Sequence, residues 1–241
     1  MGLNDAGFRA NGLQYVTDIS VPDDADYVWQ HSEGSGLTLS DSESTADGDI
    51  TNPSWATTPS GKNYLDYSAT NSYTTLTDTK STLNFPLNTA TLTIGAWVRD
   101  NANSDKPIFG CDDTSNGDAW RLNNTEFVVC GTNASSNQTV FGCNWSQSDY
   151  TTGAWQPFVG HADGTDALMY IGTNLSQVAT DSVDTSELRD DTLAYDHQFA
   201  RHPSDGGVAN IDVGQCFISE NFIAKNDLQN WVDRTKSYYG Y

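Results

Sequence analysis

Residues 92–100 read LTIGAWVRD, and they constrain the fold more than any other stretch. Side chains alternate along a strand. Leu92, Ile94, Ala96 and Val98 therefore share one face, and Thr93, Gly95, Trp97 and Arg99 share the other. A half-buried strand shows polar residues opposite its apolar row. Here a tryptophan stands there, beside a glycine. The segment predicts an inner strand of a two-sheet structure, with the Leu92 row between the sheets. Trp97 is then either covered by a loop or by a C-terminal helix, or it is a platform open to a ligand.

Short apolar runs with turn clusters between them recur along the chain. YVW (27–29), NYLDYS (63–68), YTTL (73–76), KPIFGC (106–111), DAWRL (118–122), FVVCG (127–131) and TVFGCNW (139–145) read as strands. WQPFVGHA (155–162) and ALMYIG (167–172) predict a hairpin turning through Asp163-Gly164, and IDVGQCFI (211–218) is the last strong strand. This pattern is that of an all-β sandwich or barrel. One helix is expected, in KNDLQNWVDRTKSYY, where Asn226 is placed to cap with Gln229 three residues on. Leu228, Trp231 and Val232 form its apolar face. Residues 1–26 form a polar leader, or an arm that docks on a neighbour. The echo between Phe109-Gly110-Cys111 and Phe141-Gly142-Cys143 is chance, or it marks equivalent strand ends in one sheet.

Charge narrows the partners. Asp plus Glu number 32 against 11 Lys plus Arg in 241 residues, a formal net charge of -21. Nucleic acid and anionic membranes would repel such a chain, and no stretch reaches transmembrane length. Dense carboxylates that salt must screen point to a salt-adapted setting. No basic-then-apolar secretion signal opens the sequence. The cysteines Cys111, Cys130, Cys143 and Cys216 are spaced too widely for a zinc pair, and buried thiols are expected.

The ordered set Trp55, Gly61-Lys62, Leu65-Asp66-Tyr67, Tyr73, LTIGAWVRD, GAWQPFVGHADGTDALMYIG and the terminal IDVGQCFISENFIAKNDLQNWV resembles the laminin-G-like domains of the concanavalin A-like lectin/glucanase superfamily. The resemblance spans residues 27–241. It implies a two-sheet antiparallel jelly-roll sandwich with one short C-terminal helix, and loops along one edge that bind glycans, proteins or Ca²⁺. Pro157 departs from the pattern and predicts an edge strand or bulge there.

Site residues follow from chemistry. Glycoside hydrolysis needs two facing carboxyl groups. The glutamates are isolated and no strand carries spaced acids, so no catalytic residue is expected and the chain reads as a non-enzyme. Calcium is the expected cofactor, at Asp112, Asp113, Asn116 and Asp118 of CDDTSNGDAW, with Asp41, Asp47 and Asp49 a second candidate. Turn-forming Asp is the competing reading of both loops. Of His31, His161, His197 and His202, none sits in a metal motif, so surface or hydrogen-bonded roles are expected. Trp29, Trp55, Trp97 and Trp155 read as core. Trp145 and Tyr150, beside the polar loop SQSDYTTG, are the candidate exposed ligand contact, with core packing the favoured role for either.

A lectin-like fold without a secretion signal, with a docking arm and a strongly acidic surface, suggests a virion surface protein of a virus infecting a halophilic archaeon. Capsid decoration, turret or tail fibre would suit. It would be a homo-oligomer. It would touch other virion proteins through its arm and recognise a cell-surface glycan or glycoprotein. A non-viral, extracellular carbohydrate-binding domain is the alternative, and a glycosidase of the same fold a further one.

Overall fold

The structure is a computed structural model that describes residues 21–43, 46–77, 79, 83, 91–102, 107–111, 120–132, 138–182, 196–201 and 206–241. Sixteen strands are described: β1 (Tyr27–Trp29), β2 (Thr38–Leu39), β3 (Gly48–Thr51), β4 (Ser54–Thr57), β5 (Asn63–Asp66), β6 (Tyr73–Leu76), β7 (Thr91–Asp100), β8 (Pro107–Gly110), β9 (Trp120–Asn123), β10 (Glu126–Thr132), β11 (Gln138–Asn144), β12 (Trp155–Asp163), β13 (Asp166–Ile171), β14 (Ser176–Ser182), β15 (Gln198–Phe199) and β16 (Ile211–Ser219). A helix, α1, follows at Lys225–Thr235.

Two antiparallel sheets form. Sheet I runs β14-β13-β12-β7-β16-β5-β4, with β1 also pairing to β16. Sheet II runs β11-β10-β9-β8-β15-β6-β3-β2. The expected jelly-roll sandwich is what the chain builds. β7 is central in sheet I, between β12 and β16, so it is buried on both faces. Leu92, Ile94, Ala96 and Val98 lie in the inter-sheet core with Phe109, Trp120, Phe127 and Phe199 of sheet II. Phe109 and Phe199 stack at 4.0 Å, and Trp29 meets both edge-on. The indoles reach carbonyls, Trp29 that of Ala46 and Trp120 that of Leu83, so burial leaves neither N–H unpaid. Gly160 of β12 has no side chain because the Phe127 ring lies 2.5 Å from where its Cβ would be.

The β12–β13 hairpin turns at Asp163-Gly164 as expected. Asp163 Oδ1 accepts from the N–H groups of Thr165 and Asp166, and Gly164 supplies φ +90°. Pro157 corrects one expectation, since β12 is an interior strand. Its carbonyl accepts from Gly172 N–H, so its missing donor also faces that side. There the β13 ladder has already ended, at Ile171, and no sheet hydrogen bond is lost.

α1 also starts differently from expectation. Ala224 is the N-cap, without a side-chain cap bond, and Asn226 lies inside the helix. Gln229 builds no capping box; its Nε2 donates to the Thr173 carbonyl and pins α1 to the turn after β13. The apolar face is as expected, with Leu228, Trp231 and Val232 buried. Of the leader, residues 1–20 lie outside the described residues. Residues 21–26 dock on this chain's own sheet I: Asp26 N–H bonds the Ile218 carbonyl, and Val21 and Ala25 join the apolar cluster under α1.

Candidate functional site

The sandwich has two outer faces, and they differ. That of sheet I is closed. Trp97 is 0% exposed, stacks on Tyr239 at 4.4 Å and donates its indole N–H to Thr235 Oγ1 at 2.8 Å. Gly95 beside it makes room for the Phe217 ring, which would lie 2.3 Å from a Cβ there. Phe217 meets Trp231 edge-on at 5.0 Å. The bulge in β16 between Val213 and Cys216 turns Gln215 outward, where its Oε1 accepts from the Trp231 indole and its N–H bonds the Tyr239 hydroxyl. Trp97 is thus structural, held under the C-terminal helix.

The outer face of sheet II is mixed, with exposed or half-buried polar residues at Asp49, Thr75, Gln198 and Arg121 and buried Gly110 and Val128 beside them, and no described helix packs on it. Register aligns one residue from each strand in a row: Thr38, Asp49, Thr75, Gln198, Gly110, Arg121, Val128 and Gly142. The two Phe-Gly-Cys echoes therefore supply equivalent positions of one sheet, Gly110 and Gly142. Gln198 Nε2 donates to Thr75 Oγ1 at 3.1 Å, and Thr77 Oγ1 donates to Asp49 Oδ2 at 3.1 Å. Arg121 pairs with Glu126 at 2.8 Å, and Asn123 Nδ2 donates to the same carboxylate oxygen. The Arg201 guanidinium lies 4.3 Å from the centre of the Tyr73 ring. Two acceptors on this face, Asn123 Oδ1 and Gln198 Oε1, have no protein partner. Fixed amides, hydroxyls, an arginine and an aromatic ring are groups that hydrogen-bond hydroxyl-rich ligands.

Trp145 and Tyr150 are placed elsewhere. Both are 8% exposed and belong to the inter-sheet core at its rim. The Trp145 indole donates to the Asn124 carbonyl at 2.8 Å, and the Tyr150 hydroxyl donates to Asp100 Oδ2 at 2.7 Å. Core packing holds for both and the exposed ligand contact is corrected, because each polar tip finds its partner inward. Asp112, Asp113, Asn116 and Asp118 lie outside the described residues. In the second loop, Asp41 spends its carboxylate on the N–H groups of Val28, Glu43 and Ala46, and Asp47 accepts from Asp41 N–H. Among the described residues no three His, Cys, Asp or Glu gather as a metal site. Cys143 and Cys216 are buried free thiols and Cys111 is buried, and burial pushes Cys143 up to about 12.

His31, His161 and His197 are buried rather than on the surface. Burial lowers His31 and His197 to about 3 and His161 to about 4. His31 Nδ1 contacts the Trp29 carbonyl and His197 Nδ1 contacts Thr79 Oγ1, whereas neither ring nitrogen of His161 has a partner.

A third feature lies on sheet I where register aligns Ser54, Asp66, Asp212, Arg99 and Trp155. Arg99 pairs with Asp212 at 2.5 Å, bonds the Tyr64 hydroxyl at 3.1 Å, and lies over the Tyr64 and Trp155 rings. Asn101 Nδ2 donates to the same Asp212 oxygen. Burial raises the Asp212 carboxyl, against the pull of Asn101 and Arg99.

No family model and no curated protein matches the chain. Solved structures do. The binding domain of botulinum neurotoxin serotype D is 11% identical with a TM-score of 0.60, over 88% of this chain and 52% of that one. The binding domain of botulinum neurotoxin DC, in complex with SialylT, is 11% identical with a TM-score of 0.59, over 89% and 52%. The serotype D ligand-binding domain, in complex with N-acetylneuraminic acid, is 12% identical with a TM-score of 0.58, over 88% and 51%. The chain spans about half the length of these domains. At such identity the likeness is one of fold.

Proposed function

We propose that this chain is a non-catalytic recognition module that offers the outer face of sheet II to a cell-surface glycan or glycoprotein. The observation that carries this is the polar row across sheet II, with Asn123 Oδ1 and Gln198 Oε1 unpaired and Arg201 over Tyr73. Both acceptor atoms are buried in the free protein, so a ligand would meet them only once the side chains turn outward, and the free-energy cost of an unpaired acceptor favours that turn. The similar neurotoxin domains crystallised with sialylated ligands support a glycan partner. The sequence pattern supports placing the chain in the laminin-G-like branch of the concanavalin A-like superfamily. Catalysis fits poorly: Asp212, the most buried carboxylate of the Asp66–Asp212 pair, is locked to Arg99 instead of facing a groove.

The setting we infer is the surface of a virion from a halophilic host, where an oligomer would present several such faces and calcium at the Asp112 loop would stiffen its rim. The net charge of -21 supports the salt-rich medium. A glycan array probed with the full chain in high salt tests the recognition. Binding to a defined glycan that falls at least tenfold in Gln198→Ala and Asn123→Ala is expected. Binding untouched by both substitutions would move the site off sheet II, and no binding anywhere on the array would end the reading. Mass spectrometry of purified virions tests the setting, and absence of the chain there would favour an extracellular lectin-like domain.

A further inference from the structure

Asp66 and Asp212 stand directly opposite each other in the β5–β16 ladder. Tyr67 N–H bonds the Ile211 carbonyl, so the neighbouring Asp66–Asp212 pair is a non-hydrogen-bonded one. Such pairs bring their Cα atoms to about 4.5 Å, with side chains closer than in the alternate pairs. Like charges in this position destabilise a sheet. The arrangement is costlier still because the Asp212 side chain is 1% exposed.

The direction of Asp212 is fixed. Arg99 and Asn101, both on the β7 side, occupy Oδ2. The other oxygen, Oδ1, is buried with no hydrogen-bond partner, and Asp66 stands across the ladder on the β5 side. Asp66 is half-buried, and its Oδ1 accepts from Ser68 N–H at 2.8 Å. Two carboxylates and one guanidinium leave a net charge of -1 in the cluster. A buried, unpaired carboxylate oxygen across the ladder from a second carboxylate asks for a positive charge between them, and hard cations take oxygen ligands.

We propose that Asp66 and Asp212 hold a hard monovalent cation, Na⁺ or K⁺, between β5 and β16 of sheet I. The ion cancels the remaining charge, fills the unpaired valence of Asp212 Oδ1 and ties β5 to β16. This site is independent of the glycan face, which lies on the opposite sheet.

The test compares thermal unfolding of the full chain in NaCl, KCl and choline chloride at equal ionic strength. Na⁺ or K⁺ is expected to raise the midpoint over choline by about 2–4 °C, with saturation. Asp66→Asn, which keeps an acceptor for Ser68 N–H, should abolish that difference. Asp227→Asn, the same charge change on exposed α1, should keep it. A thallous-ion soak should place an anomalous peak between the two carboxylates. Equal cation dependence in Asp66→Asn and the parent chain would overturn the proposal, as would the absence of any difference between Na⁺, K⁺ and choline, which would mean that a proton bridges the pair.

Discussion

The outer faces of the two sheets are built from the same chain by opposite rules. Sheet I turns Trp97, Val159, Tyr170 and Phe217 outward, and the chain's own C-terminal helix closes over them. Sheet II turns Asp49, Thr75, Gln198 and Arg121 outward, and no described helix covers them. Apolar surface of that size left open would recruit partners or aggregate, so α1 substitutes for a third layer. The lesson is that aromatic residues on a lectin-like sheet need not mark its ligand. On this molecule they mark the face that α1 closes, and the polar residues mark the face that no described helix covers.

The sharpest way to break this comparison is to remove the cover. Trp97→Ala would delete a fully buried indole along with its bond to Thr235 and its stack on Tyr239. The expected cost is about 3–5 kcal/mol, read from urea unfolding. If Trp97 were a ligand platform, the same change would cost little stability and abolish binding.

How much of this was legible in the sequence depends on the range of the interaction. The facing of β7 was legible because alternation is local, and so were the Asp163-Gly164 turn and the buried stripe of α1. The cover on Trp97 was only half legible. Gly95 beside it is explained by the Phe217 ring, which comes from a distant strand. The row across sheet II was not legible, because its eight members come from eight strands that only the sheet register brings into line. The Asp66–Asp212 pair is hidden in the sequence for the same reason: the two acids stand on strands far apart in the chain, and only register brings them together. Trp145 and Tyr150 misled as a candidate contact because a polar loop around an aromatic looks exposed, while Asn124 and Asp100 receive both polar tips inside.

A smaller effect sharpens the claim that the sheet I face is purely structural. His161 is buried against Phe222, with both nitrogens unpartnered. Its pKa falls from 6.5 to about 4 on folding, chiefly by burial. Below pH 6.5 the unfolded chain therefore binds a proton that the folded chain refuses. Stability is lost as pH drops from about 6.5 toward 4, by about 1.4 kcal/mol per pH unit from this group. His161→Leu should remove that share of the acid slope. At pH 7 it should also stabilise the fold by about 1 kcal/mol, since no hydrogen bond is given up and an unsatisfied polar group leaves the interior. Urea titrations at several pH values would show both effects. A loss of glycan binding in this variant would contradict the division of labour between the faces.

The smallest expected change in stability falls on sheet II. Gln198→Ala gives up one side-chain bond, to Thr75, on a half-exposed strand, and it also removes the unpaired Oε1. The two effects oppose, so unfolding should shift by no more than about 0.5 kcal/mol. The same substitution is expected to weaken glycan binding at least tenfold. A residue whose removal leaves the fold intact but abolishes recognition is held in place for the ligand. If Gln198→Ala instead destabilised the sandwich as Trp97→Ala does, sheet II would be a second structural face, and the search for the ligand would return to the loops at the rim.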